Sequence, residues 1–294
     1  EVNRLETLLT ASAPSYFSEL LAPAERTITG FLKENSDACV VVLDGCSLRE
    51  LPKLTALARS SRRPVLSSAT GRSALPSSTE HFVAQGLGLG MPALGPSQVK
   101  RRRELAHHGI RFHYFQQPNE AQQITDEPGN ILVWHRFPDL RFMDSTAASA
   151  EMYDAVWDTL DLVWQRTVQA LPHKRKVLVT SDHGYIFLGS GLCDPSLDRY
   201  DRPLKGKRFR EFPAEESLPE TQPGLWIDAQ RRLAMVTGRY HNRPQAPSPS
   251  QSIYRHGGLS LMEVLTPWLV LGPIPSPNPL PGGRGLGEGG GIGT

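Results

Sequence analysis

Cysteine is scarce in this chain, with 3 residues in 294 (Cys39, Cys46 and Cys193). So few thiols form no paired framework, which excludes a disulfide-stapled secreted domain and fits a reducing compartment. Long hydrophobic runs are missing as well. The stretches 38–43 and 268–271 fall far short of the ~18 apolar residues of a membrane span, so no membrane partner is expected. Neither charge dominates: 32 Lys and Arg against 30 Asp and Glu leave +2, too little for the global field of a nucleic-acid binder. At 39% hydrophobic and 21% charged, the composition is that of a globular protein and excludes overall disorder. No signal-peptide pattern opens the chain, so a cytoplasmic location is expected. Glu1 in place of Met suggests a segment excised from a longer protein.

What is present is enough chain for one large domain or two modest ones. Residues 1–36 carry Leu5, Leu8, Leu9, Leu20, Leu21, Ile28, Phe31 and Leu32 at helical intervals, divided by Pro14 and Pro23. They read as an N-terminal helical segment of two or three short helices. The pattern then changes to a β-branched run, 38–43 (ACVVVL), closed by Asp44-Gly45. Such a run fits a strand buried on both faces of a parallel sheet. The stretches 109–115, 130–134 and 176–180 repeat the theme, and Val65-Leu66 begins another. Helical stretches over 96–108 and 147–171 lie between them. This alternation predicts an α/β fold with a mostly parallel sheet flanked by helices. Residues 186–253 are charged and proline-rich, and read as a loop-rich insertion or cap with short strands at 224–227 and 233–236. A helix over 259–265 and a last strand at 268–271 follow, and 274–294 is a flexible Pro/Gly-rich tail.

In an open parallel sheet, ligands bind beyond the carboxyl ends of the strands. Asp44 follows the first run, Ser181-Asp182-His183-Gly184 follows KVLVT, and His135, Asp139 and Asp144 follow NILVW. Acids and imidazoles therefore collect at one edge, where a divalent cation would relieve their mutual repulsion and desolvation. Asp182 and His183 can share one ion if the chain turns sharply at Gly184. They also read as a helix-type cap and a surface histidine. Tyr254-Arg255-His256-Gly257-Gly258-Leu259-Ser260 leaves an imidazole unobstructed ahead of a helix, with Ser260 placed to cap it. Pro76-Ser77-Ser78-Thr79 precedes another helix, so its hydroxyls read either as a cap or as a nucleophile beside exposed amides. Arg239, His241 and Arg255 are candidates for phosphate contacts. The basic runs 100–103 and 205–210 read as nucleic-acid tracks or, more often, solvated faces.

Taken in order, strand–Asp44-Gly45, Pro76-Ser-Ser-Thr79, strand–Asp182-His183-Gly184 and His256-Gly257-Gly258 resemble the PglZ domain of the alkaline phosphatase superfamily. The phrases VVVLDGCSLREL, SDHGYIF and RHGGLSLMEVLTPWLVLG carry the likeness, which covers residues 37–273. The resemblance implies an alkaline-phosphatase-like fold and a metal-dependent phosphodiesterase or nuclease-like hydrolase acting on nucleotides or nucleic acid. It also implies a role in bacterial phage defence of the BREX type, beside other defence proteins. Asp44, Asp182 and His183 would hold one ion beside the nucleophile Thr79. His256 and an acidic motif at Asp139 would hold another, with zinc as the expected metal. The superfamily usually places a histidine four residues after that aspartate, but Met143 stands there, with Asp144 next. Either Asp144 or His135 substitutes, or the second site is weak. A phosphomonoesterase is the nearest rival reading, and a catalytically weakened scaffold is the rival from another class.

Overall fold

Residues 8, 19–22, 24–89, 103, 105–143, 150–188, 204, 207–240 and 254–275 are described by a computed structural model. Strand β1 (Cys39–Leu43) is buried along its whole length. Its alternate residues serve two different cores: Cys39, Val41 and Leu43 pack on one face, Val40 and Val42 on the other. The neighbouring strands β4 (Asn130–His135) and β5 (Val177–Thr180) divide in the same way. Burial on both faces explains why these strands read as unbroken apolar runs. Each fully buried Val or Leu contributes roughly 1.5–3 kcal/mol.

The central sheet has six strands in the order β2-β11-β5-β1-β4-β3, with β2 at Val65–Arg72, β3 at Ile110–Phe115 and β11 at Leu265–Leu271. Strands β5, β1, β4 and β3 pair in parallel, while β11 runs antiparallel to both neighbours. Helices α2 (Leu51–Ser60) and α5 (Ala150–Arg166) cover one face through Leu54, Ala58, Val156, Leu160, Val163 and Trp164. Helices α1 (Ile28–Glu34) and α3 (Thr79–Gln85) cover the other through Ile28, Phe31, Leu32, Phe82 and Val83. The result is the expected α/β architecture, helices on both sides of a mostly parallel sheet. Among the described residues no helix is long and apolar enough to cross a membrane.

Three elements depart from the sequence reading. Strand β2 extends through Arg72, well past Val65-Leu66, because an edge strand with exposed Ser67 and Ser68 shows no apolar periodicity. The helix expected over 259–265 shortens to α6 (Leu261–Val264), and β11 takes over at Leu265. Within 186–253, strands β7 (Phe209–Glu211), β8 (Leu225–Asp228) and β9 (Leu233–Val236) form an antiparallel sheet with its own apolar cluster of Leu204, Phe212, Leu225, Ala234 and Val236. β8 and β9 fall where short strands were expected, at 224–227 and 233–236, and β7 is the addition. Residues 1–7 and 9–18, most of 96–104, and 276–294 lie outside the described residues.

Candidate metal centre

The sheet brings the predicted residues together at the carboxyl ends of its central strands. Asp44 leaves β1 with its amide donating to the His135 carbonyl at 2.9 Å, and the Asp44 carbonyl accepts from the Asp139 amide at 2.9 Å. Asp139 opens the short helix α4 (Asp139–Met143). Trp134 Nε1 donates to Asp44 Oδ2 at 3.1 Å, which fixes that carboxylate's rotation. On the adjacent strand, Asp182 Oδ1 accepts from the amides of Gly45 (3.0 Å) and His183 (2.9 Å). Thr79 Oγ1 donates to Asp182 Oδ2 at 2.6 Å. Four chain segments, at 44–45, 79, 134–139 and 182–183, are thus hydrogen-bonded together.

A small second pairing supplies the last ligand candidate. Strand β6 (Ile186–Phe187) follows His183, β10 (Tyr254–Arg255) precedes His256, and the two pair antiparallel. This register lays the two imidazoles face to face, 4.0 Å apart and 7° from parallel. Asp44, Asp182 and His183 form one group able to hold an ion, and Asp139, His183 and His256 form another. His183 belongs to both.

Each histidine is oriented by a carbonyl, which can only accept a hydrogen bond. His183 Nδ1 donates to Gly184 O at 2.9 Å and His256 Nδ1 to Ser77 O at 3.3 Å. In the neutral ring, Nε2 is then a bare lone pair. His183 Nε2 is buried, has no hydrogen-bond partner, and lies 3.7 Å from Asp44 Oδ1 and 3.6 Å from Asp182 Oδ2. These separations are too long for hydrogen bonds. They match the roughly 3.3–3.6 Å that separates ligands each ~2.0–2.2 Å from one tetrahedral ion. With the ring neutral and both carboxylates ionised, three lone-pair donors converge on one buried point, so this donor set fits a divalent metal. Burial, with the neighbouring His183, holds the His256 pKa down to about 4, so this ring is neutral as a ligand must be.

The plainer readings of these residues fare unequally. Asp182 and His183 are both fully buried, so neither is a surface residue. Ser78 is the N-cap residue of α3 by position but makes no capping hydrogen bond. Ser260, by contrast, does cap α6, accepting from the Glu263 amide. Gly184 is required for a different reason than a turn: a Cβ there would stand 2.1 Å from the Met262 carbonyl oxygen. The glycines after His256 likewise admit protein rather than ligand, since a Cβ on Gly258 would meet Val236 O at 2.6 Å and Arg208 Nε at 2.7 Å.

Other predicted residues are placed less centrally. Arg239 is buried and donates to Phe187 O at 2.6 Å, and Arg255 lies in β10 beside His256. His135 does not substitute for the histidine expected at 143. Its Nδ1 accepts from the Phe137 amide at 3.0 Å, and its ring stacks on Phe115. Burial lowers its pKa to about 4. Asp144, His241 and the Met143 side chain lie outside the described residues.

Three groups escaped the sequence reading. Arg208, inside a run read as a solvated face, is buried and forms a two-pronged pair with Glu263 at 2.6 and 2.8 Å. Glu263 also accepts from the Gly258 amide at 2.9 Å, so the pair steadies the His256 loop. Tyr254 donates its hydroxyl to Asp139 Oδ1 at 2.5 Å, and burial with that carboxylate holds the phenol protonated. Glu50 is buried and accepts from the Ser47 amide (2.7 Å) and the Tyr185 hydroxyl (2.6 Å), bracing the turn after Asp44. Burial raises its pKa. Tyr254 stands in the cluster around His256, and Glu50 and Glu263 stand inside the motif phrases, but nothing in those phrases assigned them a role.

No protein-family model matches the sequence, and no curated protein matches it. Among solved structures, murine ectonucleotide pyrophosphatase/phosphodiesterase 5 aligns with a TM-score of 0.50 and 14% identity, covering 80% of this chain and 88% of that one. The same protein is known as an inactive threonine-to-alanine variant in complex with AMP, with equal overlap. Phosphonoacetate hydrolase from Sinorhizobium meliloti 1021 aligns at a TM-score of 0.44 and 13% identity, over 79% of this chain and 89% of that one. At such identities the likeness concerns the fold, which is of the alkaline-phosphatase-like α/β class.

Proposed function

We propose that the protein is a metal-dependent phosphoric ester hydrolase acting on phosphodiesters, in nucleotides or nucleic acid, with Thr79 as nucleophile. The observation that carries this reading is the buried, unpartnered Nε2 of His183 facing two carboxylates, with the Thr79 hydroxyl bonded to one of them. Asp44, Asp182 and His183 would hold one divalent ion, and Asp139 with His256 a second. Zinc suits a set of imidazole nitrogens and carboxylate oxygens. When bound, such an ion lowers the pKa of a neighbouring hydroxyl and neutralises charge gathering on the phosphate.

The chain's own residues supply the rest. Thr79 Oγ1 is aimed by its hydrogen bond to Asp182 Oδ2. As it attacks phosphorus its hydroxyl proton passes to water, the bond to the leaving ester oxygen breaks, and that oxygen takes a proton from water in turn, leaving a phosphothreonine and a free alcohol. A second water then cleaves the threonine–phosphorus bond and restores the hydroxyl. Arg255, one residue before His256, and Arg239 and His241 are candidate phosphate contacts. The AMP complex of the murine neighbour supports a nucleotide ester as substrate. A role in BREX-type phage defence rests on the wording of the PglZ-like phrases.

The test is hydrolysis of bis-p-nitrophenyl phosphate and of p-nitrophenyl phosphate by protein purified without chelator. Diester turnover that disappears in Thr79→Ala is the expected result. Undiminished turnover in that variant overturns the role of Thr79, and strong preference for the monoester favours a phosphomonoesterase. Met143, standing where a histidine ligand is expected, favours a weakened scaffold. That reading predicts metal binding with no turnover of either ester.

A further inference from the structure

Three successive hydroxyls, on Ser77, Ser78 and Thr79, are bonded to three different parts of the molecule. Ser77 Oγ donates to Gly258 O at 2.8 Å and accepts from the Gly257 amide at 3.1 Å, joining the turn to the His256 loop. Thr79 Oγ1 donates to Asp182. Ser78, between them, has the extended backbone of an N-cap residue yet makes no cap bond. Its Oγ lies 2.7 Å from His81 Nδ1 instead, and His81 Nε2 lies 3.1 Å from Glu211 Oε1.

The chemistry of this chain sets the proton positions. A carboxylate only accepts, so His81 Nε2 carries the proton shared with Glu211. In the neutral ring Nδ1 is then the acceptor for the Ser78 hydroxyl. His81 also meets Phe209 edge-on, with centroids 5.2 Å apart and planes at 90°. Phe209 and Glu211 both belong to β7. The next residue back, Arg208, makes the buried pair with Glu263. One edge of the three-stranded sheet therefore touches both the Thr79 turn and the loop that carries His256.

We infer that His81 and Glu211 are positioning residues: acting through Ser78, they lock the turn that aims the Thr79 hydroxyl at Asp182, with β7 as the anchor. The inference rests on the hydrolase reading above, in which Thr79 is the nucleophile. Loss of the lock leaves the ligand residues intact but lets the nucleophile wander. Misplacement by about 1 Å costs on the order of 10²-fold in rate.

The experiment compares Ser78→Ala, His81→Ala, Glu211→Ala and Glu211→Gln in the full chain. Readouts are kcat and KM on bis-p-nitrophenyl phosphate, metal content, and the ¹⁵N shifts of the His81 ring. His81→Ala and Ser78→Ala should lower kcat by roughly 10- to 100-fold, with KM and metal content unchanged. Glu211→Gln keeps an acceptor and should recover most of the loss seen in Glu211→Ala. The wild-type ring should show a protonated Nε2 and bare Nδ1. An unchanged kcat in His81→Ala, a loss that merely follows loss of metal, or the opposite tautomer overturns the inference. A wild-type protein without Thr79-dependent turnover but with the stated tautomer would sink the hydrolase reading and leave the hydrogen-bonded chain standing.

Discussion

The two corners of the candidate centre are built differently. At one, Asp44 and Asp182-His183 follow directly on β1 and β5, adjacent strands in strict parallel register. At the other, Asp139 comes from a short helix and His256 from a loop; a two-residue strand pair sets His256 beside His183, and Tyr254 in that pair reaches Asp139. The first corner's carboxylates are held by a Trp134 ring nitrogen and by backbone amides. In the second, Asp139 depends on a single side-chain donor, Tyr254. Sheet register fixes a ligand more firmly than loop contacts do, so the first corner should bind metal more tightly and carry more of the chemistry.

The largest expected effect follows from that contrast. Asp182→Ala removes a candidate ligand of the first corner and the acceptor for Thr79, and diester turnover should fall by about 10³-fold or more, read by initial rates. A loss no greater than that of Asp139→Ala would erase the distinction between the corners. Next comes the brace behind His256. Arg208→Ala strands the buried Glu263 carboxylate, and urea unfolding should show a loss of about 3–5 kcal/mol. A loss below about 1 kcal/mol would mean that the second corner does not depend on that brace.

His135 sharpens the comparison because it ends β4, the strand between β1 and β3, yet joins neither corner. Its pKa is lowered by burial from 6.5 to about 4. The unfolded chain therefore binds a proton more readily than the folded one. Stability should fall as pH drops below about 6.5, and the loss should level off below about 4, at up to roughly 3 kcal/mol from this group. Urea unfolding at pH 7 and pH 4 should show a smaller acid loss in His135→Phe than in wild type, and equal losses would contradict the burial argument. The smallest effect concerns Tyr254. Tyr254→Phe should weaken the second zinc equivalent by roughly tenfold and leave the first unchanged, as titration calorimetry would show.

The same contrast explains what could be read from the sequence. Strands β1 and β5 are buried on both faces, so they stand out as apolar runs, and the residues just after them, Asp44 and Asp182-His183, were legible as strand-end candidates that the fold brings together. Edge strand β2 was legible only in its first two residues because its exposed positions mix polar residues in, and three-residue β7 was too short to show, whereas β8 and β9 fell where short strands were expected. Arg208 looked like any residue of a basic run. Its partner Glu263 is 55 positions away, and no local pattern links the two. His81 was invisible for the same reason: its meaning depends on Glu211, which only the fold brings near.

Zinc titration into chelator-stripped protein, followed by calorimetry in wild type and in His183→Ala, tests the centre most directly. The account predicts a tight equivalent in wild type that disappears in the variant, because His183 belongs to both candidate groups. Tight binding that survives in His183→Ala, or no binding to the wild-type chain, would contradict it.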